Sequence, residues 1–375
     1  VAPTTAPRLA PLLIVPGGLA LVVGLDAGLS HAGVPVPVDS HRLAELHGPL
    51  MVLGFLGTVI ALERAVALRR AWAMLAPALL GAGALLLALL PQPLLGRLLV
   101  VQGLLTLVLV YAALRRRNQD PLVDVQLVGA VLAAAAALLL TRVDVAVTLP
   151  LLIGFVVLTI GAERVELARL AMPADAPARL TALTLLLCAG VLAAVLWPGA
   201  GWSLLGGALL LLTAWLARHD VARRLVRSTG LPRFAAAALL LGYAWLALVA
   251  VVLLVGGRPG GAGYDIVVHG TFLGYAMSMV LAHAPVILPA VLRVRLPYRP
   301  VMWVPLVLLH ASLLARVLTG AAGLTPGWQG ALVANVVALL LFVVVSAAVA
   351  VLATRRARAR HTPLSPHTPR TKEHR

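Results

Sequence analysis

Four of the chain's ten histidines fall where histidine is costly: His47, His269, His283 and His310 lie within, or at the ends of, long apolar runs. His361, His367 and His374 near the C-terminus, His219 in a basic stretch, and His31 and His41 beside a Pro-rich stretch are expected to be solvated. In hydrocarbon a polar side chain without a partner costs several kcal/mol, so each of the four is a candidate site residue. The chemistry open to a neutral imidazole is metal ligation through one ring nitrogen, while the proton on the other is held by a carbonyl, side chain or water.

What positions these side chains follows from composition. Of 375 residues, 61% are hydrophobic and 11% are charged, and mean hydropathy is +1.01. A soluble domain carries about 25% charged residues, so two soluble domains are excluded. The single cysteine, Cys188, rules out a disulfide scaffold. Segments long enough to cross a bilayer occur at 10–30, 44–68, 73–91, 94–114, 121–140, 145–168, 180–198, 202–217, 234–256, 264–289, 300–319 and 329–353. The fold class is therefore all-α: a polytopic integral membrane protein of twelve transmembrane helices. Residues 1–354 form one membrane-embedded domain and 355–375 a basic tail, expected to be disordered or to lie on the inner leaflet. The first segment lacks a convincing cleavage site and is read as a helix, not a signal peptide.

The net charge of +17 reflects topology, not nucleic-acid binding. The loops after segments 2, 4, 6, 8 and 10, together with both termini, hold 25 of the 30 basic residues when Arg64 and Arg164, at the ends of segments 2 and 6, are counted with their adjacent loops. Only Arg42, Arg97 (at the start of segment 4), Arg142 and Arg258 fall on the opposite side, and Arg316 lies inside segment 11. The positive-inside rule then puts both termini in the cytoplasm of a bacterial inner membrane. On this topology His47 and His269 begin two segments that both run inward, so they share a depth near the outer face. His283 is fourteen residues beyond His269, about 21 Å deeper, and cannot share a metal ion with it.

Two imidazoles at one depth suit a bis-histidine haem. Each is followed by glycine, Gly48 and Gly270, and Gly54 and Gly274 come next on the same segments. Such small residues let a flat macrocycle lie against backbone. The competing reading is two unrelated histidines hydrogen-bonded inside the bundle.

The chain also repeats itself. GFLGTVIALERA from Gly54, GFVVLTIGAERV from Gly154 and, more faintly, GYAMSMVLAHAP from Gly274 begin with Gly-aromatic pairs in segments 2, 6 and 10. Glu63, Glu163 and His283 fall at equivalent positions. Three related four-helix units would produce this pattern.

These stretches resemble a known family. LHGPLMVLGF, from Leu46, is similar to helix II of haem-copper oxidase subunit I, and VVHGTFLGYAMSMVLAHAPVILP, from Val267, is similar to helix X of the cbb3 type. A resemblance to the NnrS-type family extends over histidines at the starts of similar helices. The resemblance implies twelve helices in three arcs of four and one haem b held by His47 and His269. It also implies where this chain departs: Val267 stands where the family's high-spin haem ligand would be, and segments 6 and 7 carry no histidine for copper. A binuclear haem-copper site, copper and oxidase chemistry are accordingly not expected, and enzymatic activity is left open.

Two further features need partners. Arg316, near the outer end of segment 11, requires an anion, for which haem propionates or snorkelling to the interface both serve. Glu63-Arg64 and Glu163-Arg164, at the inner ends, read either as local ion pairs or, with His283, as a polar cluster that gates protons or binds a metal. The functions that fit are a haem b protein in electron transfer or nitric oxide stress and denitrification, a cofactor-free small-solute transporter, or an assembly or anchor subunit. The partners are the lipid bilayer and, for the first and last, a redox partner or other membrane subunits.

Overall fold

The computed structural model describes residues 6–38, 41–292 and 294–360, and every regular element among them is helical. Among the described residues, twelve helices are long and apolar enough to cross a membrane. They are α1 (Pro11–His31), α2 (His47–Leu68), α3 (Ala71–Leu89), α4 (Leu94–Asn118), α5 (Pro121–Leu139), α6 (Val145–Leu167), α7 (Ala176–Leu196), α8 (Pro198–His219), α9 (Gly230–Gly256), α10 (Gly261–Pro289), α11 (Pro300–Ala321) and α12 (Thr325–Arg355). Each coincides with a segment legible in the sequence. The eighth, the shortest by hydropathy, gains residues at both ends. The last helix runs on to Arg360, past the expected boundary at 354; the rest of the tail, with His361, His367 and His374, lies outside the described residues.

The boundaries have local causes. Asp120 accepts a bond from the Leu122 N–H ahead of Pro121, a residue with no N–H to satisfy, and so starts α5. Arg69 and Gln119 end α2 and α4 in the left-handed region, at φ 56° and 49°. Consecutive helices pack as antiparallel hairpins. At the α3–α4 crossing, a Cβ on Gly83 would stand 2.9 Å from the Gly96 carbonyl oxygen, and one on Gly96 would stand 2.9 Å from that of Gly83. Only glycine lets two backbones approach so closely, the usual device where no hydrophobic effect drives helices together in lipid.

The most deeply buried helices are α2, α6 and α10, and α10 touches both others. Leu12, Leu185, Leu204, Val255, Leu314 and Leu352 face outward. In water that surface would drive aggregation, whereas hydrocarbon solvates it. The alternating hairpins place the Arg-rich loops at one end of the bundle and the Arg-poor loops at the other.

Two inner helices are not regular. In α2, residues Leu50–Leu56 are π-helical, with the Gly57 N–H bonded to the Val52 carbonyl. In α10, residues Gly270–Ala276 are π-helical, with the Met277 N–H bonded to the Phe272 carbonyl. Each π segment inserts extra chain per turn and re-aims the residues before it. His47 and His269 are those residues.

Candidate functional site

His47 and His269 meet at the Arg-poor end, their ring centroids 6.3 Å apart and their planes 24° from parallel. His47 Nδ1 is 2.7 Å from the Gly24 carbonyl oxygen of α1. His269 Nδ1 is 3.1 Å from the Asp265 carbonyl oxygen and 2.9 Å from Asp265 Oδ1. Both Nδ1 atoms therefore act as N–H donors, which assigns the tautomer and leaves each Nε2 with a lone pair.

That separation fits one metal between the rings. A metal–imidazole bond is about 2 Å and the ring centre lies about 1 Å behind the nitrogen, so two imidazoles that would hold one metal ion have centres up to about 6 Å apart. The two rings also line a cavity of about 400 Å³ whose other walls include Met51, Phe55, Leu149, Phe272 and Leu339. This volume and apolar character suit a planar cofactor. Among the described residues no three His, Cys, Asp or Glu side chains come close enough to hold a metal ion.

Asp265 joins the site to two more helices. Its carboxylate accepts from Arg316 Nε at 2.9 Å and Nη2 at 2.6 Å, and from Trp328 Nε1 at 3.0 Å. The Arg316 guanidinium also stands 5.3 Å from the Trp328 ring centre. Arg316 is buried at 5% exposure, so it does not snorkel, and the Asp265 carboxylate supplies an anion for it. Arg316 and Trp328 still line the cavity.

The glycines divide differently from expectation. Gly48 lines the cavity. Gly274 does not: a Cβ there would stand 2.5 Å from the Trp245 ring, so its bareness serves the α9–α10 packing. The glycine that fits the site is Gly28 of α1, where a Cβ would stand 2.7 Å from Cε1 and 2.8 Å from Nδ1 of His47. His31, expected to be wet, is exposed but stands on the cavity rim.

His283 belongs to a separate network at the Arg-rich end. Arg164 donates to Asp220 through Nε and Nη2, each at 3.0 Å, and to His283 Nε2 through Nη1 at 2.9 Å. Asp220 also accepts from Tyr243 Oη at 2.7 Å and from the Ala222 N–H at 2.8 Å. Burial opposes ionisation of Asp220, but the Arg164 guanidinium and these bonds outweigh it and hold the carboxyl below the ordinary carboxylate range. The network ties α6, the loop after α8, α9 and α10 together. Arg64 bonds Glu63 at 2.5 Å and stands 3.8 Å from Glu166, with Glu163 in electrostatic range of all three. The local-pair expectation thus holds for Glu63-Arg64 and fails for Glu163-Arg164, whose arginine pairs with Asp220. Glu63 and Glu163 share one group, and His283 bonds in the other. His310 is bonded within the bundle, accepting from Trp245 Nε1 at 2.9 Å with Ser278 Oγ at 3.3 Å.

Residues 8–351 match a family described as Domain of unknown function (DUF8744). The chain belongs to this family. No curated protein and no solved structure matches it.

In this DUF8744 chain, sequence reasoning missed Asp265, Gly24 and Gly28. Asp265 carried a signal: an acid four residues before a histidine in an apolar run shares its helical face. Gly24 and Gly28 carried none, because α1 reaches His47 only through tertiary packing.

Proposed function

We propose that the protein is a haem b membrane protein in which His47 and His269 are the two axial ligands of a low-spin iron near the Arg-poor end. The supporting observation is the ring pair: two Nδ1–H groups already bonded, two Nε2 lone pairs free to ligate, and centroids 6.3 Å apart beside an apolar cavity. When bound, the haem would supply one-electron chemistry at an iron with both axial positions filled. Gly24 and Asp265 orient the two rings, Arg316 and Trp328 orient Asp265, and the apolar lining keeps water away. Electron transfer is the favoured role, with nitric oxide stress or denitrification as its setting through the NnrS-type resemblance.

The architecture we propose is the oxidase-like one, three arcs of four helices, supported by the burial of α2, α6 and α10, each the second helix of its four. The orientation we propose puts the Arg-rich end in the cytoplasm of a bacterial inner membrane and the ring pair near the outer face. With Val267 in place of a histidine and none on α6 or α7, the protein would not reduce oxygen or nitric oxide. The deciding measurement is the visible spectrum of protein purified from haem-replete cells. A Soret band with sharp reduced α and β bands is expected. A colourless preparation overturns the proposal and leaves the cofactor-free transporter or anchor reading.

A further inference from the structure

We infer that the two ligands are unequal: His269 is anchored, and His47 is the one that gives way to a small uncharged diatomic ligand such as carbon monoxide or nitric oxide, which then binds on the α2 side. This rests on the haem reading above and adds to it a ligand class and a side.

The inequality lies in what holds each ring. His269 Nδ1 faces a carboxylate oxygen at 2.9 Å as well as a backbone carbonyl. An ionised acceptor makes the ring a stronger donor to a metal and fixes its direction. That carboxylate is itself held by two bonds from Arg316 and one from Trp328. Shifting His269 would disturb α10, α11 and α12 together. His47 Nδ1 has one neutral carbonyl, that of Gly24.

The backbones differ in the same sense. His269 ends the uninterrupted helix Gly261–His269, which passes straight into its π segment. His47 follows a five-residue helix, His41–Glu45, and a turn at Leu46, and opens a three-residue helix before the π segment. A short, interrupted stretch opens locally at lower cost than the middle of a long helix. The contact that keeps the His47 ring in place is the bare backbone of Gly28, which leaves room for the ring and for nothing larger.

In the exchange, the bond from iron to Nε2 of His47 breaks and the imidazole keeps the electron pair. The lone pair of the diatomic fills the vacated position. No proton or electron changes hands. The cavity around His47, walled by Met51, Val52 and Phe55 with Glu45 and His31 also lining it, is apolar enough beside the ring to admit an uncharged gas.

The test uses the haem-loaded, dithionite-reduced protein and carbon monoxide in stopped flow, with resonance Raman to read the retained ligand. The wild-type protein is expected to bind carbon monoxide at a rate that saturates with gas concentration, because ligand loss limits it. Gly28→Ala, which presses the His47 ring out of place, is expected to raise that limiting rate roughly tenfold or more, equivalent to about 1.4 kcal/mol. His47→Ala is expected to be five-coordinate when reduced and to bind the gas without saturation, keeping an iron–histidine stretch that Asp265→Asn lowers in frequency. The inference is overturned if Asp265→Asn accelerates binding and Gly28→Ala does not, or if neither the wild type nor Gly28→Ala binds the gas. A wild-type protein without haem would instead overturn the haem reading itself, so the two failures are distinguishable.

Discussion

The His269 imidazole and the Asp265 carboxylate, one turn apart on α10, are in contact at 2.9 Å, and the same carboxylate is gripped by Arg316 from α11. The ring that would face the iron is thus fixed by a charge two helices share. On the opposite side, His47 leans on one carbonyl of α1.

Removing either ring should remove the low-spin iron. His47→Ala and His269→Ala are each expected to abolish the six-coordinate spectrum or make it five-coordinate. His283→Ala should leave it intact, because His283 bonds Arg164 at the other end of the bundle. Absorption and EPR spectra of the three variants decide the matter. Loss of haem on removing His283 alone would refute the ligand assignment.

The π segment of α2 should set the direction of His47. Deleting Met51, inside Leu50–Leu56, removes the extra residue and turns His47 by about 100° relative to the rest of the helix. The protein is expected to insert and purify in normal yield but to lose the low-spin spectrum. An unchanged spectrum would show that the π segment does not aim the ring.

Arg316 acts through Asp265. Arg316→Ala takes a positive charge from beside the ring pair and frees the carboxylate. The midpoint potential should fall while the axial ligands stay the same, read by redox titration and EPR. Arg316→Lys keeps the charge without the two-pronged grip, so it should restore the potential only in part.

Asp220 should be a stability residue, not a site residue. Asp220→Asn leaves Arg164 buried without its anion, and losses of this kind cost roughly 3 kcal/mol or more. Thermal unfolding in detergent should show a clear drop, with the spectrum of the surviving fraction unchanged. Because the Asp220 carboxyl titrates below its ordinary range in the folded protein, its contribution is full above that range and is lost as pH falls through the lowered value. The acid-side loss of stability should therefore be shallower in Asp220→Asn than in the wild type.

Topology can be tested independently of any cofactor. Reporter fusions after Arg117 and Arg227 should report the cytoplasm, and one near Gly261 the outside. A cytoplasmic signal at Gly261 would reverse the proposed placement of the ring pair.

The twelve helices were legible in the residue order, though the ends of the eighth and the last were not, because crossing hydrocarbon demands about 20 apolar residues in a row and the arginines collect in alternate loops. His47 and His269 could be singled out for the same reason: a polar ring in an apolar run must have a partner. What those partners are was decided in three dimensions. Gly24 and Gly28 meet His47 only because α1 packs against α2. Arg316 found Asp265 because α10 and α11 place them together, and Arg164 found Asp220 across 56 positions and not its neighbour Glu163. The π segments, too, escaped the sequence, since one extra residue in a turn leaves composition and hydropathy unchanged while it redirects every side chain before it. Hydrophobicity is a property of each residue in turn, whereas the partner of a buried charge is a property of helix packing.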